Sequence, residues 1–338
     1  MRTWFEQQWQ QLGWAQCLLL PLSWVFLALT ACRKRLYQCG VFSSTRLAVP
    51  VIVVGNISVG GVGKTPVVLW LAEQLLLAGY QPGILSRGYG GKHHGEVSAC
   101  SAPVLFGDEP VLLAQRSGCP VWVHAKRVLA GQALLDAYPA CDVLICDDGL
   151  QHYALQRTIE IAVVHRPRGL GNHRLLPAGP LREPLQRLAS VDLIIESGDL
   201  PDSAHTLPSF QLQLHSAHWL AVSDSSRHAT VDILRGESLI VVAGIGHPQR
   251  FFDTLKQQGL QFESRVFADH HMYTPQDFAE TGKKTILMTE KDAVKCRHLG
   301  LENAWYLPVD AELKPIGHTK SLMFCVLGLL EQRNGVRI

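Results

Sequence analysis

Short apolar runs alternate along the chain with longer stretches that carry apolar residues at helical spacing. The β-branched run Ala48–Gly55 predicts a buried parallel strand, and Thr65–Ala78 predicts a helix that ends before Gly79. Strands that alternate with helices are typical of a mostly parallel α/β sheet, so we expect an α/β fold in the first part of the chain. Further strands of the same kind are predicted at Gly83–Ser86, Asp142–Cys146, Glu160–Val164 and Val191–Glu196.

A second α/β pattern begins after residues 201–235, where alternating segments such as Phe210–Leu214 favour a connecting ribbon. Strands are then predicted at Ser238–Ala243, Lys284–Thr289 and Ala304–Val309, and helices at Arg250–Gln258 and Thr319–Arg333. We therefore expect a second, smaller α/β domain. The predicted division is an N-terminal helix in 1–35, a first domain in 36–205, a connecting ribbon in 206–235, a second domain in 236–317, and a C-terminal helix in 318–338 that packs back on the first domain.

The most hydrophobic part of the chain lies near its N-terminus. No charged residue occurs between Gln7 and Cys32, and Trp14–Cys32 is largely apolar, close to the roughly 20 residues that a membrane-crossing helix needs. The basic residues 33–35 follow at once. We expect this helix to associate with a membrane, by crossing it or by lying in its surface, with the rest of the chain in the cytoplasm. Four of the eight tryptophans, which favour the headgroup region, lie in this part of the chain: Trp4, Trp9, Trp14 and Trp24.

Two alternatives exist for this hydrophobic segment. The first is a buried helix of a soluble protein. The second is export, because Leu29–Cys32 resembles the cleavage site of a bacterial lipoprotein. A signal peptide has a positive N-terminal region, whereas the residues before this segment carry only Arg2 and Glu6 as charges. We therefore favour membrane attachment.

Composition narrows the class of protein. With 338 residues, of which 47% are hydrophobic and 18% charged, the chain is long enough for about two domains and too apolar to be disordered. The 31 Lys and Arg residues nearly balance the 29 Asp and Glu residues, so the net charge favours no nucleic-acid partner. The nine cysteines are scattered and form no C-x-x-C pair, which indicates reduced thiols and no zinc site.

A glycine-rich segment, GNISVGGVGKTP, lies between the first predicted strand and helix. The backbone N–H groups of such a loop, with the helix N-terminus, bind phosphates. Lys64 is expected to contact the β- and γ-phosphates and Thr65 to bind Mg²⁺. The general motif has glycine where this chain has Ser58, and Val59 stands where dimerising partition ATPases carry lysine. The predicted ATP-binding residues are Ser58, Val59, Gly60, Gly61, Val62, Gly63, Lys64 and Thr65.

Two acidic residues follow the predicted strand at 142–146. Asp147 and Asp148 begin the segment DDGLQH, and the carboxyl end of a strand in a parallel sheet faces the ligand. One carboxylate is expected to hold Mg²⁺, directly or through water, and the other to face a base or the substrate. We place Asp147 with Thr65 at the metal, although the pattern alone does not decide between the two aspartates. An ordinary Asp-Gly turn is the alternative.

Two motifs are candidates for proton transfer. Asp108, in the segment GDEP, is expected to accept the proton of the attacking hydroxyl, unless Asp108 and Glu109 serve only to cap the following helix. His270, in the segment FADHH, is expected to orient Asp108 by a hydrogen bond if its loop faces the first domain. A surface histidine cluster is the alternative.

A rigid loop and a charged segment complete the candidates. The segment LPAGPLREP at 176–184 contains three prolines, which favour a fixed orientation of the Arg182 guanidinium toward phosphate oxygens. A solvated surface arginine is the alternative. Thr289–Asp292 follows a predicted strand, and its sequence indicates no specific role.

Together these segments resemble one known family. The motifs VGNISVGGVGKTP, SRGYGG, GDEP, DDGLQH, LLPAGPLREP, FADHH and TEKDAVK, with the hydrophobic N-terminus, are similar to those of the tetraacyldisaccharide 4′-kinases, the lipid A 4′-kinases of Gram-negative bacteria. Ser58 belongs to the phosphate loop of this family. His173 departs from it, because glycine is expected there, and this bears only on the local loop shape.

The resemblance implies a membrane-associated enzyme with a P-loop NTPase-like domain and a smaller α/β domain. It implies transfer of the γ-phosphate of ATP, with Mg²⁺, to the 4′-hydroxyl of tetraacyldisaccharide 1-phosphate, which gives lipid IVA. It also implies work at the cytoplasmic face of the bacterial inner membrane, without nucleic acid or an obligate protein partner. The implied catalytic residues are Asp108, His270, Asp147, Asp148 and Arg182, and the residues expected to contact the lipid substrate are Arg87, Gln151, His152 and Glu183.

Two functions of other classes compete with this one. A P-loop ATPase that serves as a metal or cofactor chaperone would need clusters of metal ligands, which the sequence lacks. A membrane-anchored, nucleotide-dependent scaffold would not need Asp108 or Asp147. A kinase for another lipid or sugar is the alternative within the same class.

Overall fold

The computed structural model describes residues 9–166, 170–198 and 207–334, and the chain forms two compact units. The segment Gly88–Gly118 belongs to the second unit, although it lies inside the stretch 36–205 that the sequence assigns to the first domain. Local patterns predict elements but not their tertiary partners, which explains the difference. The first unit contains Met1–Arg87, Cys119–Gln213 and Ala311–Ile338, and the second contains Gly88–Gly118 and Leu214–Asp310.

Elements are numbered along the described residues. The strands are β1 (Val51–Gly55), β2 (Pro82–Ser86), β3 (Gly95–Val97), β4 (Val121–Val123), β5 (Val143–Asp147), β6 (Ile159–His165), β7 (Leu193–Ser197), β8 (Ser209–His215), β9 (Trp219–Ala221), β10 (His228–Ala229), β11 (Leu239–Ala243), β12 (Phe262–Val266), β13 (Thr285–Thr289), β14 (Ala304–Leu307) and β15 (Asp310–Pro315). The helices are α1 (Trp14–Gln38), α2 (Lys64–Leu77), α3 (Pro103–Phe106), α4 (Asp108–Ser117), α5 (Arg127–Ala137), α6 (Val231–Leu234), α7 (Pro248–Gln257), α8 (Glu290–Cys296) and α9 (Leu322–Asn334). Turns of 3₁₀ helix lie at Leu185–Ser190, Pro275–Thr281 and Arg297–Leu299.

The first unit is built on a sheet with the strand order β15-β8-β7-β6-β1-β5-β2-β4. Each neighbouring pair from β8 to β4 is parallel. Strands β1, β2, β5 and β7 are buried along their whole length, which is why their sequences are continuous apolar runs. Because β1 and β5 are adjacent and parallel, Val54 lies beside Asp147 and the loops after both strands leave the same edge.

The second unit contains a smaller sheet with the order β10-β9-β14-β13-β11-β12. Strands β12, β11, β13 and β14 are parallel, and β9 and β10 add an antiparallel ribbon at one side. Residues 206–235, which the sequence predicts as a connecting ribbon, contribute strands to both sheets. Strand β8 lies in the sheet of the first unit, and β9 and β10 lie in the sheet of the second unit. Strand β11 is buried along its whole length, whereas edge strand β12 exposes Glu263, Ser264 and Val266.

Helix α9 belongs to the first unit. Its side chains at Leu322, Val326 and Leu330 are buried, at helical spacing. Arg333 donates hydrogen bonds to the carbonyl of Thr158, at 2.6 Å, and to the carboxylate of Asp192, at 2.6 and 3.0 Å. These contacts hold the last described turn of α9 against the segments before β6 and β7 of the same unit.

Helix α1 exposes most of its apolar residues and buries the polar residues Gln16 and Ser23. It is long and apolar enough to cross a membrane, with a mean hydropathy of 1.8 over an 18-residue window of which 11% is buried. The alternative of a buried core helix is therefore wrong. Trp4, Arg2 and Glu6 lie outside the described residues. The exposed large side chains include Trp14 (79% exposed), Leu18, Leu22, Trp24, Val25 and Leu29.

Ser23 joins α1 to the rest of the first unit. Its side chain is 4% exposed; the hydroxyl donates to the carbonyl of Leu175 at 2.8 Å and accepts from the N–H of Ala178 at 3.1 Å. Trp9 extends this contact, because its indole N–H donates to the carbonyl of Pro177 at 3.0 Å. Ser23 of α1 thus contacts the proline-rich loop, Phe26 packs against the core of the first unit, and most other apolar positions of the helix are exposed.

We expect Ser23→Ala to lower the free energy of unfolding by about 1–3 kcal/mol, because the buried N–H of Ala178 loses its acceptor. Chemical denaturation of the detergent-solubilised protein measures this change. Thr30→Val is the matched control, since the Thr30 hydroxyl bonds only to the carbonyls of Phe26 and Leu27 in its own helix. An equal loss of stability in both variants would contradict the assignment.

Candidate active site

The glycine-rich loop connects β1 to α2, as the sequence predicts. Gly60 and Gly63 adopt φ values of 107° and 91°, which favour glycine. A Cβ atom at Gly63 would also lie 2.9 Å from the side chain of Leu212. Helix α2 begins at Lys64, so Lys64 and Thr65 occupy its first turn, where the helix dipole favours an anion.

Lys64, Asp148 and Arg182 form one charged cluster beside this loop. The Lys64 ammonium lies 3.3 Å from Asp148 Oδ1 and donates to Asn56 Oδ1 at 3.3 Å. Arg182 Nη1 donates to Asp148 Oδ2 at 3.0 Å. Burial alone would raise the pKa of Asp148, but the charges of Lys64 and Arg182 outweigh that effect and hold the pKa below its usual value. The structure therefore keeps Asp148 ionised between two cations.

Arg182 reaches this position because its loop pairs with the phosphate loop. The N–H of Val59 donates to the carbonyl of Pro180 at 2.8 Å, and the N–H of Arg182 donates to the carbonyl of Ile57 at 2.7 Å. Three residues before this loop, His173 has a φ of 60°, in the left-handed region. Glycine adopts this conformation without a steric cost, which is the physical reason to expect glycine at position 173.

Asp147 ends strand β5 and is 3% exposed. Arg127, which the sequence analysis did not single out, donates to the backbone carbonyl of Asp147 at 3.2 Å. The Asp147 carboxylate and the Thr65 hydroxyl are hard oxygen donors, the kind that Mg²⁺ prefers. Mg²⁺ usually takes one or two protein ligands and keeps waters or phosphate oxygens on the others, so this donor set fits that ion. Among the described residues, no cluster of three or more acidic, histidine or cysteine side chains forms a metal cage.

Gln151 and Glu183 contact each other and the phosphate loop. Gln151 Nε2 donates to the carbonyl of Asn56 at 2.9 Å and to Glu183 Oε2 at 2.8 Å. Tyr153 donates a short hydrogen bond to the other carboxylate oxygen of Glu183, which is almost completely buried. These contacts join the segment DDGLQH to the proline-rich loop.

His152 and Arg87 lie elsewhere in the first unit. His152 Nε2 accepts from the N–H of Arg127 at 3.1 Å. Burial lowers the pKa of His152 to about 4, with help from the charges of Arg127 and Arg157, so the ring is neutral near pH 7. Arg87 is exposed and follows strand β2 directly.

Asp108 and His270 are in contact within the second unit. His270 Nδ1 lies 3.1 and 3.0 Å from the two carboxylate oxygens of Asp108, which is 6% exposed. An ionised carboxylate only accepts hydrogen bonds, so His270 Nδ1 carries the hydrogen. Asp108 is the first residue of α4, and the His270 ring lies 5.4 Å from that of Tyr89. The expectation that the two residues come from different domains is wrong, because Gly88–Gly118 groups with the second unit.

The environment of this pair favours both charged forms. Burial alone would raise the pKa of Asp108, but the hydrogen bond from His270 and the charge of Lys291 hold it below its usual value. The same hydrogen bond, against the effect of burial, raises the pKa of His270. The alternative that Asp108 only caps its helix is incomplete: its carboxylate also accepts the N–H of Glu109 at 2.9 Å, but its main partner is His270.

Comparison with known proteins identifies the family of this chain. The family model described as tetraacyldisaccharide-1-P 4′-kinase matches residues 15–324. The chain belongs to this family. Two family members, both named tetraacyldisaccharide 4′-kinase, show the extent of the similarity. The protein from Methylobacillus flagellatus is 48% identical over 313 residues, which is 92% of each chain, and that from Dechloromonas aromatica is 50% identical over 321 residues, which is 93% of each.

The fold of the family is also shared. LpxK from Aquifex aeolicus, whose crystal structure is described as an "apo" form in complex with ATP, has a TM-score of 0.81 and 30% sequence identity to this chain. The match covers 94% of this chain and 99% of that one. The family resemblance and the expected α/β fold are therefore confirmed. Because the chain belongs to a family of kinases, the two alternatives from other classes, a chaperone ATPase and a scaffold without transfer chemistry, are wrong.

Proposed function

We propose a specific role for each unit in the reaction of this family. The chain is an ATP-dependent kinase that transfers the γ-phosphate of ATP to the 4′-hydroxyl of tetraacyldisaccharide 1-phosphate in lipid A synthesis. The cluster of Lys64, Asp148 and Arg182 beside the glycine-rich loop is the observation that carries the assignment of the first unit. In the second unit, the buried pair of Asp108 and His270 supports proton transfer.

In this proposal the first unit holds ATP. The backbone N–H groups of residues 60–65 surround the phosphates, whereas the N–H of Val59 donates to the carbonyl of Pro180 and only fixes the loop. Lys64 contacts the β- and γ-phosphates. Phosphoryl transfer depends mainly on position and on neutralisation of charge. Arg182, a planar donor aimed by its rigid loop, adds charge at the transferring group once its contact with Asp148 loosens.

Mg²⁺ would be held by Thr65 and Asp147, whose oxygen donors fit it. When bound, it neutralises charge on the β- and γ-phosphates. Before the nucleotide binds, the Asp148 carboxylate pairs with Lys64 and Arg182 and keeps these two cations oriented.

The second unit supplies the base. Asp108 accepts the proton of the 4′-hydroxyl as that oxygen attacks phosphorus, and His270 holds the carboxylate in place through its Nδ1–H. The low pKa of Asp108 means that the base is ionised throughout the neutral range.

The acceptor contacts are assigned to Arg87, Gln151, His152 and Glu183. The exposed Arg87 guanidinium suits the 1-phosphate of the disaccharide. Neutral His152 can donate or accept a hydrogen bond with a sugar hydroxyl. Half-buried Gln151 and buried Glu183 act by holding the proline-rich loop in register with the phosphate loop.

The acyl chains imply a lipid surface, and α1 supports attachment to one. Its length, its exposed apolar side chains and the basic residues 33–35 near its C-terminal end fit the bacterial inner membrane, with both units on the cytoplasmic face. No nucleic acid and no obligate protein partner enter this proposal.

A direct assay tests the function. The purified chain is incubated with ATP, Mg²⁺ and tetraacyldisaccharide 1-phosphate in detergent micelles, and mass spectrometry is expected to find one added phosphate on the 4′ side of the disaccharide. ATP hydrolysis without lipid phosphorylation would favour a chaperone ATPase. Phosphorylation of another lipid or sugar alone would contradict the proposed acceptor.

A further inference from the structure

The segment Thr289–Asp292, for which the sequence indicates no role, lies against the helix that carries Asp108. It forms the end of β13 and the first turn of α8. Lys291 makes a short ion pair with Glu109, the neighbour of Asp108 in the chain. Glu290 accepts from Arg116 Nη1 at 2.6 Å, near the opposite end of α4. Two adjacent residues of α8 therefore hold α4 near both of its ends.

The next residue fixes α8 to the core of the second unit. Asp292 is completely buried, and its carboxylate accepts hydrogen bonds from the N–H of Gly244 and from the hydroxyls of Tyr273 and Thr289. It also pairs with buried Lys295 at 2.9 Å. Because Tyr273 is three residues after His270, the same helix is tied to the segment that carries His270.

We propose that Lys291 is a positioning residue, which acts through Glu109 and its own charge to hold Asp108 in its orientation and in its ionised form. This inference rests on the proposed role of Asp108 as the base. Glu290 has a related part, because its pair with Arg116 keeps α4 in register with α8.

Electrostatics supports the geometric argument. The cations that face Asp108 are His270, Lys291 and Lys295, and the nearby anions are Glu109 and Asp269. Although burial alone would lower the pKa of Lys291, the charges of Glu109 and Asp108 raise it, so its ammonium remains charged at neutral pH. Removal of this charge raises the pKa of Asp108, which means that a higher pH is needed to ionise the base.

Lys291→Met removes the charge and keeps most of the side-chain length. We expect kcat to fall about tenfold with little change in the KM for ATP, and the acidic limb of the kcat profile to move up by about one pH unit. Lys291→Arg should restore most of kcat. Lys284→Met is the matched control, since Lys284 makes a 2.6 Å ion pair with Glu263 on strand β12 and should leave kcat unchanged.

A double-mutant cycle separates positioning from a structural role. If Lys291 acts through Asp108, Lys291→Met should change kcat less than twofold in an Asp108→Asn background. A tenfold loss in that background, or normal kcat and an unshifted profile in Lys291→Met alone, would overturn the inference. Normal turnover of Asp108→Asn by itself would instead overturn the proposed base, so the two failures are distinct.

Discussion

Replacing Lys64 with alanine is expected to lower kcat/KM for ATP by about 10²- to 10³-fold. Lys64 is the first residue of α2, and its ammonium lies 3.3 Å from Asp148 at the mouth of the glycine-rich loop. Without it, the transferring phosphate loses a fixed cation, and Asp148 loses one of the two charges that hold its pKa low. Steady-state kinetics with ATP and the lipid acceptor, together with equilibrium ATP binding, measures the effect.

Lys314→Ala is the control for this experiment. Lys314 belongs to the same unit but pairs with Glu312 and Gln213 at the surface, so its removal should leave both kcat and the KM for ATP unchanged. Unaltered kinetics in Lys64→Ala would rule out the glycine-rich loop as the nucleotide site.

Asp108→Asn is expected to lower kcat by about 10²- to 10⁴-fold, the usual range for loss of a general base, with ATP binding nearly unchanged. The amide has the shape of the carboxylate but cannot accept a proton at neutral pH. Its contact with His270 also loses the charge that raises the pKa of the histidine, so the His270 pKa should fall. Kinetics and ATP binding test the first expectation, and an NMR titration of His270 tests the second.

A neighbouring pair provides the control for Asp108. Asp277 lies 3.2 Å from His271 Nε2 and accepts hydrogen bonds from Thr274, so it combines an aspartate and a histidine of the same unit outside the proposed site. Asp277→Asn should keep kcat close to that of the unmodified chain. A similar loss of kcat in both variants would show that the effect of Asp108→Asn is not specific to the base.

Strands buried on both faces were predictable from the sequence. The predicted strand Ala48–Gly55 contains β1, and the predicted helix Thr65–Ala78 is shifted by one residue from α2, because a continuous apolar run and its glycine boundary are local properties. Helix α5 was missed. Gly131 in its middle lowers helix propensity, yet a Cβ atom there would lie 2.3 Å from Leu47, so the need for glycine is a tertiary one.

Short and polar strands were harder to predict. Strand β4 has only three residues, and edge strand β12 reads FESRV, with charged residues at two of its five positions. Neither has the long apolar run that identifies a central strand. Their place in a sheet depends on neighbouring strands that lie far away in the chain.

The candidate site was predictable as separate motifs but not as an arrangement. The loops after β1 and β5 could be expected to meet because parallel strands share one carboxyl edge. The contact of Arg182 with Asp148 depends on the pairing of two loops about 120 residues apart, as the bonds of Val59 to Pro180 and of Arg182 to Ile57 show. The roles of Arg127 and Lys291 were missed because their contacts with Asp147 and Glu109 join residues far apart in the chain.

The sequence by itself determined the phosphate loop, the order of the α/β elements, the apolar N-terminal helix and the family, because each depends on residues that are close together in the chain. Only the tertiary structure decided that Gly88–Gly118 joins the second unit, that Asp108 therefore meets His270 there, and that the polar side of α1 holds the proline-rich loop. These contacts join residues more than 150 positions apart, and their partners are selected by burial and hydrogen bonding in the folded chain.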